Sequence, residues 1–184
     1  MIYNITFILP LLILASAIVY YYNALVKVRQ LMKEAASGVD VQLKRRHDLI
    51  PNLVEIVKGY VIHENNVFED VARLRTQASK STTLKESAGA ENQLTKGLRT
   101  IFALAENYPD LKADQHFIQL HDSLIEVENE LQLARRYFNG TVRDLNVLTQ
   151  SFPSNIAANI FHFNPEEFFE IETATERQTP QVNF

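Results

Sequence analysis

The sequence predicts an all-α fold: an N-terminal transmembrane helix continuing into an elongated antiparallel four-helix bundle. Three observations carry this. Only five glycines occur in 184 residues, well below an average usage of about 7%, and folds rich in tight turns consume glycine. Apolar side chains recur at steps of three and four through most of the chain, which is the helical period. No stretch alternates with period two between turn signals, so strands have no support.

The first element is the membrane segment. Residues 1–26 contain no charged side chain. Residues 5–26 are long enough to cross a bilayer, because about 20 apolar residues span its hydrocarbon core. Residues 1–4 are then a short external N-terminus. Tyr20, Tyr21 and Tyr22 stand just before the first charge, Lys27, where amphipathic rings favour the headgroup zone. Pro10 falls inside the span, a position that membrane helices tolerate. A buried core helix and a cleaved signal peptide are the competing readings; 22 residues without a charge are unusual for the first, and for the second Ala15-Ser16-Ala17 resembles a cleavage site but residues 1–4 lack a basic region. From Lys27 to Arg46 six Lys/Arg face two acidic residues, a balance of +4, and the remaining 138 residues carry −8. Basic residues only after the span place the bulk of the chain in the cytoplasm and the N-terminus outside.

Residues 27–152 read as the bundle. The membrane helix is expected to continue to about Arg46, with an apolar face at Leu25, Val28, Met32, Ala35 and Val39. His47 and Asp48 suggest a turn, with Asp48 as N-cap and Pro51 in the first turn of a second helix. That helix is expected to reach Ser79 along Leu53, Val57, Tyr60, Glu64, Val67, Val71, Leu74 and Ala78. Residues 79–88 are small and polar and read as a loop. A third helix presents Leu94, Leu98, Ile101, Ala105 and Tyr108 and stops at Pro109. The fourth carries the most regular series: Phe117, Leu120, Leu124, Val127, Leu131, Ala134, Phe138, Thr141, Leu145, Leu148 and Phe152. Sustained heptads of that kind pack helix on helix, in a bundle or a coiled coil.

Residues 153–184 form the remainder. Ser154 caps a short helix from Asn155 to Phe161, and an acidic, aromatic tail follows. Phe161–Phe169 is expected to dock on the bundle, with the last ten residues loose, because a wholly disordered tail seldom keeps so many aromatics.

Chemistry is excluded step by step. With no cysteine there is no disulfide, thiolate metal site or cysteine nucleophile. His63-Glu64 begins like H-E-x-x-H, but position 67 is Val. His116 and His121 lie five apart, on different sides of a helix. Asp122, Glu126, Glu128 and Glu130 read as solvated-face charges, since no Glu precedes a His by three as paired metal sites require. No phosphate-binding glycine motif is present. Asn4-Ile5-Thr6 and Asn139-Gly140-Thr141 match glycosylation sequons but sit against the membrane and in a cytoplasmic helix. No catalytic residue, cofactor, metal, nucleic acid or small-molecule substrate is expected.

Two clusters stand above this background. Lys44, Arg45, Arg46 and His47 form a compact basic group, read as a contact for a partner protein, as plain solubilising charge or, if the bundle lies down on the membrane, as a contact for lipid. Glu64, Asn65 and Asn66 interrupt an apolar face and read as a buried polar layer, paired to Arg135, Arg136 or Lys33, with a binding site as the alternative.

The residues then show a resemblance. Tyr22-Asn23-Ala24-Leu25-Val26, Val39-Asp40-Val41-Gln42-Leu43-Lys44-Arg45-Arg46-His47-Asp48-Leu49-Ile50-Pro51-Asn52-Leu53-Val54-Glu55, and Ala134-Arg135-Arg136-Tyr137-Phe138-Asn139 closely resemble the bacterial LemA family. So do Val142-Arg143-Asp144-Leu145-Asn146, Phe152-Pro153-Ser154-Asn155 and the terminal Val182-Asn183-Phe184. The resemblance implies a bacterial inner membrane, a short external N-terminus, one membrane helix and a cytoplasmic helical bundle. It brings no catalytic residues. Gly38 stands near where relatives often carry Trp, and loosens the first helix there.

The expected function is a non-enzymatic single-pass membrane scaffold or adaptor for another membrane or envelope protein. The bilayer is contacted through residues 5–26. The alternative is a self-assembling, homo-oligomeric protein that organises or remodels the membrane.

Overall fold

The structure, a computed structural model, describes residues 2–61, 64–81 and 84–169. Among these, six helices and no strands are found: α1 (Ile2–Lys58), α2 (Asn65–Lys80), α3 (Leu84–Ala105), α4 (Pro109–Ala113), α5 (Gln115–Gln150) and α6 (Ser154–Ile160). The all-α expectation holds. Two compact units divide the described residues, one within residues 2–40 and 132–168, the other within residues 41–131 together with Phe169.

The expected turn at His47–Asp48 is absent. α1 runs through both residues without a break. Pro51 cannot donate to the carbonyl four residues back, which in a helix interior is that of His47. Arg75 Nε donates to that His47 carbonyl oxygen instead, at 2.7 Å. A tertiary contact thus replaces the bond that proline removes, and the helix survives. The chain turns at Gly59 and Tyr60, whose amides bond back to Ile56 and Val57 at 3.1 and 3.0 Å. The second helix predicted to run on to Ser79 is therefore divided, part of it ending α1 and part forming α2.

The loop expected over residues 79–88 is also shorter. α2 persists to Lys80 and α3 begins at Leu84, because Leu84 to Ala88 are mostly helix formers with Glu86 in the first turn, where a negative charge suits the helix dipole. Ala88 is buried. Residues 82 and 83 lie outside the described residues.

In the unit of residues 41–131 one apolar core draws on four helical segments and α4. Ile50, Leu53 and Val57 of α1 meet Phe68, Val71 and Ala78 of α2, Leu94, Leu98 and Ile101 of α3, Leu111 of α4, and Phe117, Leu120 and Leu124 of α5. α2 and α3 approach closely at Gly97, where an added Cβ would sit 3.0 Å from Val71 Cγ2. α5 opens with Asp114, whose Oδ1 accepts from the amides of His116 and Phe117 at 2.8 and 2.9 Å, the N-cap arrangement.

In the unit of residues 1–40 and 132–168, Leu25 of α1, Leu145 of α5, and Ala157 and Ala158 of α6 are buried together, with Tyr21, Val28, Met32, Leu148 and Phe163 packed against them. The heptad positions of α5 turn inward as expected, except Phe152, which lies past the helix end and is 80% exposed. The tail docks as far as it belongs to this unit. Asn146 Nδ2 donates to the Glu166 carbonyl at 2.9 Å, and the Glu166 amide donates to Asn146 Oδ1 at 2.8 Å. Phe161 and Phe168 stay more than 40% exposed. The expectation of a loose end at residues 175–184 lies outside the described residues.

Candidate functional site

The candidate membrane segment carries exposed apolar side chains. Ile8, Leu9, Leu11, Leu12, Ile13, Leu14 and Val19 each leave more than half of their surface uncovered by protein. A core helix would bury such residues. α1 is the one described helix long and apolar enough to cross a membrane.

The basic cluster at 44–47 is split by the helical period. Lys44 and Arg45 point outward, Lys44 toward Asp48 at 3.9 Å and Arg45 toward Glu126 at 3.3 Å. Arg46 turns inward and is 2% exposed. Its Nη1 donates to Glu91 Oε2 at 3.1 Å and its Nη2 to Thr95 Oγ1 at 2.6 Å, with Glu128 Oε2 3.4 Å away. His47 Nε2 lies 2.6 Å from Glu91 Oε1. Glu91 itself is fully buried. The Thr95 hydroxyl closes the group by donating to the Glu91 carbonyl at 3.0 Å. Burying charges costs several kcal/mol per ion unless each is paired and hydrogen-bonded, and here both Glu91 oxygens and both Arg46 terminal nitrogens are engaged.

The arrangement has the character of a clamp. It joins α1, α3 and α5 in one register, with its carboxylate and guanidinium facing each other. Of the four residues proposed as a partner contact, only Lys44 and Arg45 present their charges to solvent. Arg46 and His47 belong to the interior.

The expected polar layer is elsewhere than predicted. Glu64 and Asn66 are exposed, because the chain leaves the helix after Lys58 and they fall at the start of α2. The side chain of Asn65, like residue His63, lies outside the described residues. Arg46 and Glu91, with His47 half-buried beside them, form a buried polar group in its place.

A second polar group anchors the α4–α5 junction. Tyr60 Oη donates to Asp114 Oδ2 at 2.8 Å. The Phe117 amide and then the Tyr60 hydroxyl hold the Asp114 carboxyl below the ordinary aspartate range. The same bond, with the nearby carboxylate charge, raises the Tyr60 hydroxyl above its usual value. His121 packs edge-on to Phe102 at 4.6 Å beside a cavity of about 300 Å³ lined also by Ala105, Phe117 and Ile118. Among the described residues no three His, Asp or Glu converge as a metal site would require.

Sequence comparison extends this picture. The chain is 22% identical to magnetosome protein MamQ of Magnetospirillum gryphiswaldense, over 95% of this chain and 75% of that one. It is 23% identical to magnetosome protein MamQ 2 of Paramagnetospirillum magneticum, over 88% and 70%. Protein LemA of Metamycoplasma hominis is 24% identical over 73% of this chain, which covers 58% of that relative's length. The model of the LemA family matches residues 35–184, from the helix before the buried clamp to the final phenylalanine. The chain belongs to the LemA family.

Proposed function

We propose that this protein is a non-enzymatic, single-pass membrane scaffold, with residues 5–26 in the bilayer, the N-terminus outside and the helical units in the cytoplasm. The observation that carries the reading is α1 itself. One helix holds an uncharged apolar segment, its side chains from Ile8 to Leu14 left largely uncovered by protein, and then, after a run of basic residues, enters a core locked by the Arg46–Glu91 clamp. A continuous helix of this kind transmits position from the membrane to the cytoplasmic part, and the strongest charged motif is used for register. Relatives named for the magnetosome support an organising role, since that name refers to a structure and not to a reaction.

The partner is a membrane or envelope protein that uses exposed helix faces, including Lys44 and Arg45. Photo-crosslinking in intact cells from positions next to Lys44 and on exposed α2 tests this. A discrete partner, weakened by Lys44→Glu with Arg45→Glu, is expected. A ladder of self-adducts alone would favour the homo-oligomeric alternative, and an unchanged partner list would remove Lys44 and Arg45 from the contact.

A further inference from the structure

α6 is polarised the wrong way for a helix facing water. It buries its small residues, Ser154, Ala157 and Ala158, and exposes its large ones, Ile156 at 43% and Ile160 at 52%. Ile156 and Ile160 are four apart and so share one face. Phe152, 80% exposed, precedes the helix, and Phe161, 42% exposed, follows it. From Ser151 to Asn164 the chain has no Asp, Glu, Lys or Arg. Asn159 is exposed beside these apolar residues, but a water-facing helix does not turn its largest apolar side chains outward, and exposed large apolar side chains gathered on one short segment mark a surface that something else covers.

The position of α6 identifies what covers it. Ala157 and Ala158 pack on Leu25 of α1, three residues past Tyr22. The Phe161 ring lies 4.6 Å from the Tyr22 ring, and the Phe163 ring 6.2 Å from it. Three residues of helix rise about 4.5 Å, so the α6 face stands at the level where α1 leaves the apolar segment. That is the headgroup zone, which favours tyrosine and phenylalanine. On the same stretch of α1, Lys27 and Arg29 are exposed, and the Arg29 guanidinium lies over the Phe163 ring at 5.5 Å. Cations beside an apolar face match an anionic lipid surface.

We propose that α6, with Phe152 and Phe161, is an interfacial foot that dips into the cytoplasmic headgroup layer beside the emerging α1. The foot rests on the reading of residues 5–26 as membrane-spanning. It gives the chain a second lipid contact, and two contacts fix the azimuth of α1 as well as its depth.

The chain has no cysteine, so single nitroxide labels can be placed on full-length protein in vesicles of phosphatidylcholine and phosphatidylglycerol. Ile13→Cys reports the span, Ile156→Cys and Ile160→Cys the foot, and Gln77→Cys, exposed on α2, the aqueous reference. Collision with oxygen against a water-soluble nickel chelate gives depth. The foot predicts Ile13 deep, Ile156 and Ile160 at headgroup depth with oxygen favoured, and Gln77 open to nickel. Nickel access at Ile156 and Ile160 equal to that at Gln77, with Ile13 still deep, overturns the foot and leaves the anchor. Low access to both reagents at Ile156 and Ile160 overturns it in favour of a protein cover. Nickel access at Ile13 overturns the anchor and the foot together.

Discussion

Arg46 and Glu91, 45 residues apart in the chain, meet at 3.1 Å with both side chains excluded from solvent. Removing one member of such a pair strands a buried charge and costs about 3–5 kcal/mol. Replacing both by apolar residues of similar volume removes that penalty. Chemical denaturation of Glu91→Ala is therefore expected to show a large loss, and Arg46→Met with Glu91→Leu together a far smaller one. A double variant as unstable as the sum of its singles would contradict this reading of the clamp.

Pro51 and Arg75 form a compensating pair through the His47 carbonyl. Arg75→Ala leaves that oxygen without its partner, at a cost of about 1–3 kcal/mol. In a Pro51→Ala background the new amide reaches the same oxygen, so the cost of Arg75→Ala shrinks. A double-mutant cycle measures the coupling, and strict additivity would sink the explanation.

The Asp114 cap sets a pH dependence. Its folded carboxyl lies below the ordinary value of about 3.9, so its contribution is complete above that value and is lost as pH falls through the lower folded one. Tyr60 behaves oppositely. Its folded hydroxyl lies above the usual value of about 10, so its contribution holds below that value and is lost as pH rises through the folded one. Melting curves across pH should show Asp114→Asn flattening the acid limb, and Tyr60→Phe flattening the alkaline limb while weakening the acid one. Asp114→Ala should lower the melting temperature more than Asp114→Asn, since Asn still caps a helix.

Two glycines should answer to alanine differently. Gly38 is helical with nothing within 4 Å of an added Cβ, so Gly38→Ala is expected to stabilise by about 1 kcal/mol. At Gly97 the new methyl meets Val71 Cγ2 at 3.0 Å, so the same propensity gain is offset by displacement of a buried side chain. Thermal unfolding of the two variants should show the first above wild type and the second at or below it.

Helix content was legible because glycine scarcity and three-four spacing are local properties. The clamp was legible only in part. Glu91 continues the third helix's stripe one step earlier, three before Leu94, and Arg46 lies between Leu43 and Ile50 on the first helix's stripe. Both charges thus occupy core positions, a signal present in the spacing. It was hidden by the break assigned at His47, which ended the stripe just before it reached Ile50. That break followed the local rule for proline, and the contact that overrides it comes from Arg75, 28 residues away. Glu64 misled for the same reason, since its burial depended on a helix that ends at Lys58.

Everything proposed for this chain depends on residues 5–26 crossing a bilayer with Asn4 outside and Gln77 inside. Labelling of single-cysteine Asn4→Cys and Gln77→Cys variants in intact cells by a membrane-impermeant maleimide tests that directly. The account predicts that Asn4→Cys reacts in whole cells and Gln77→Cys only after the membrane is opened. Reaction of Gln77→Cys in intact cells, or release of the chain from membranes by alkaline carbonate, would contradict it.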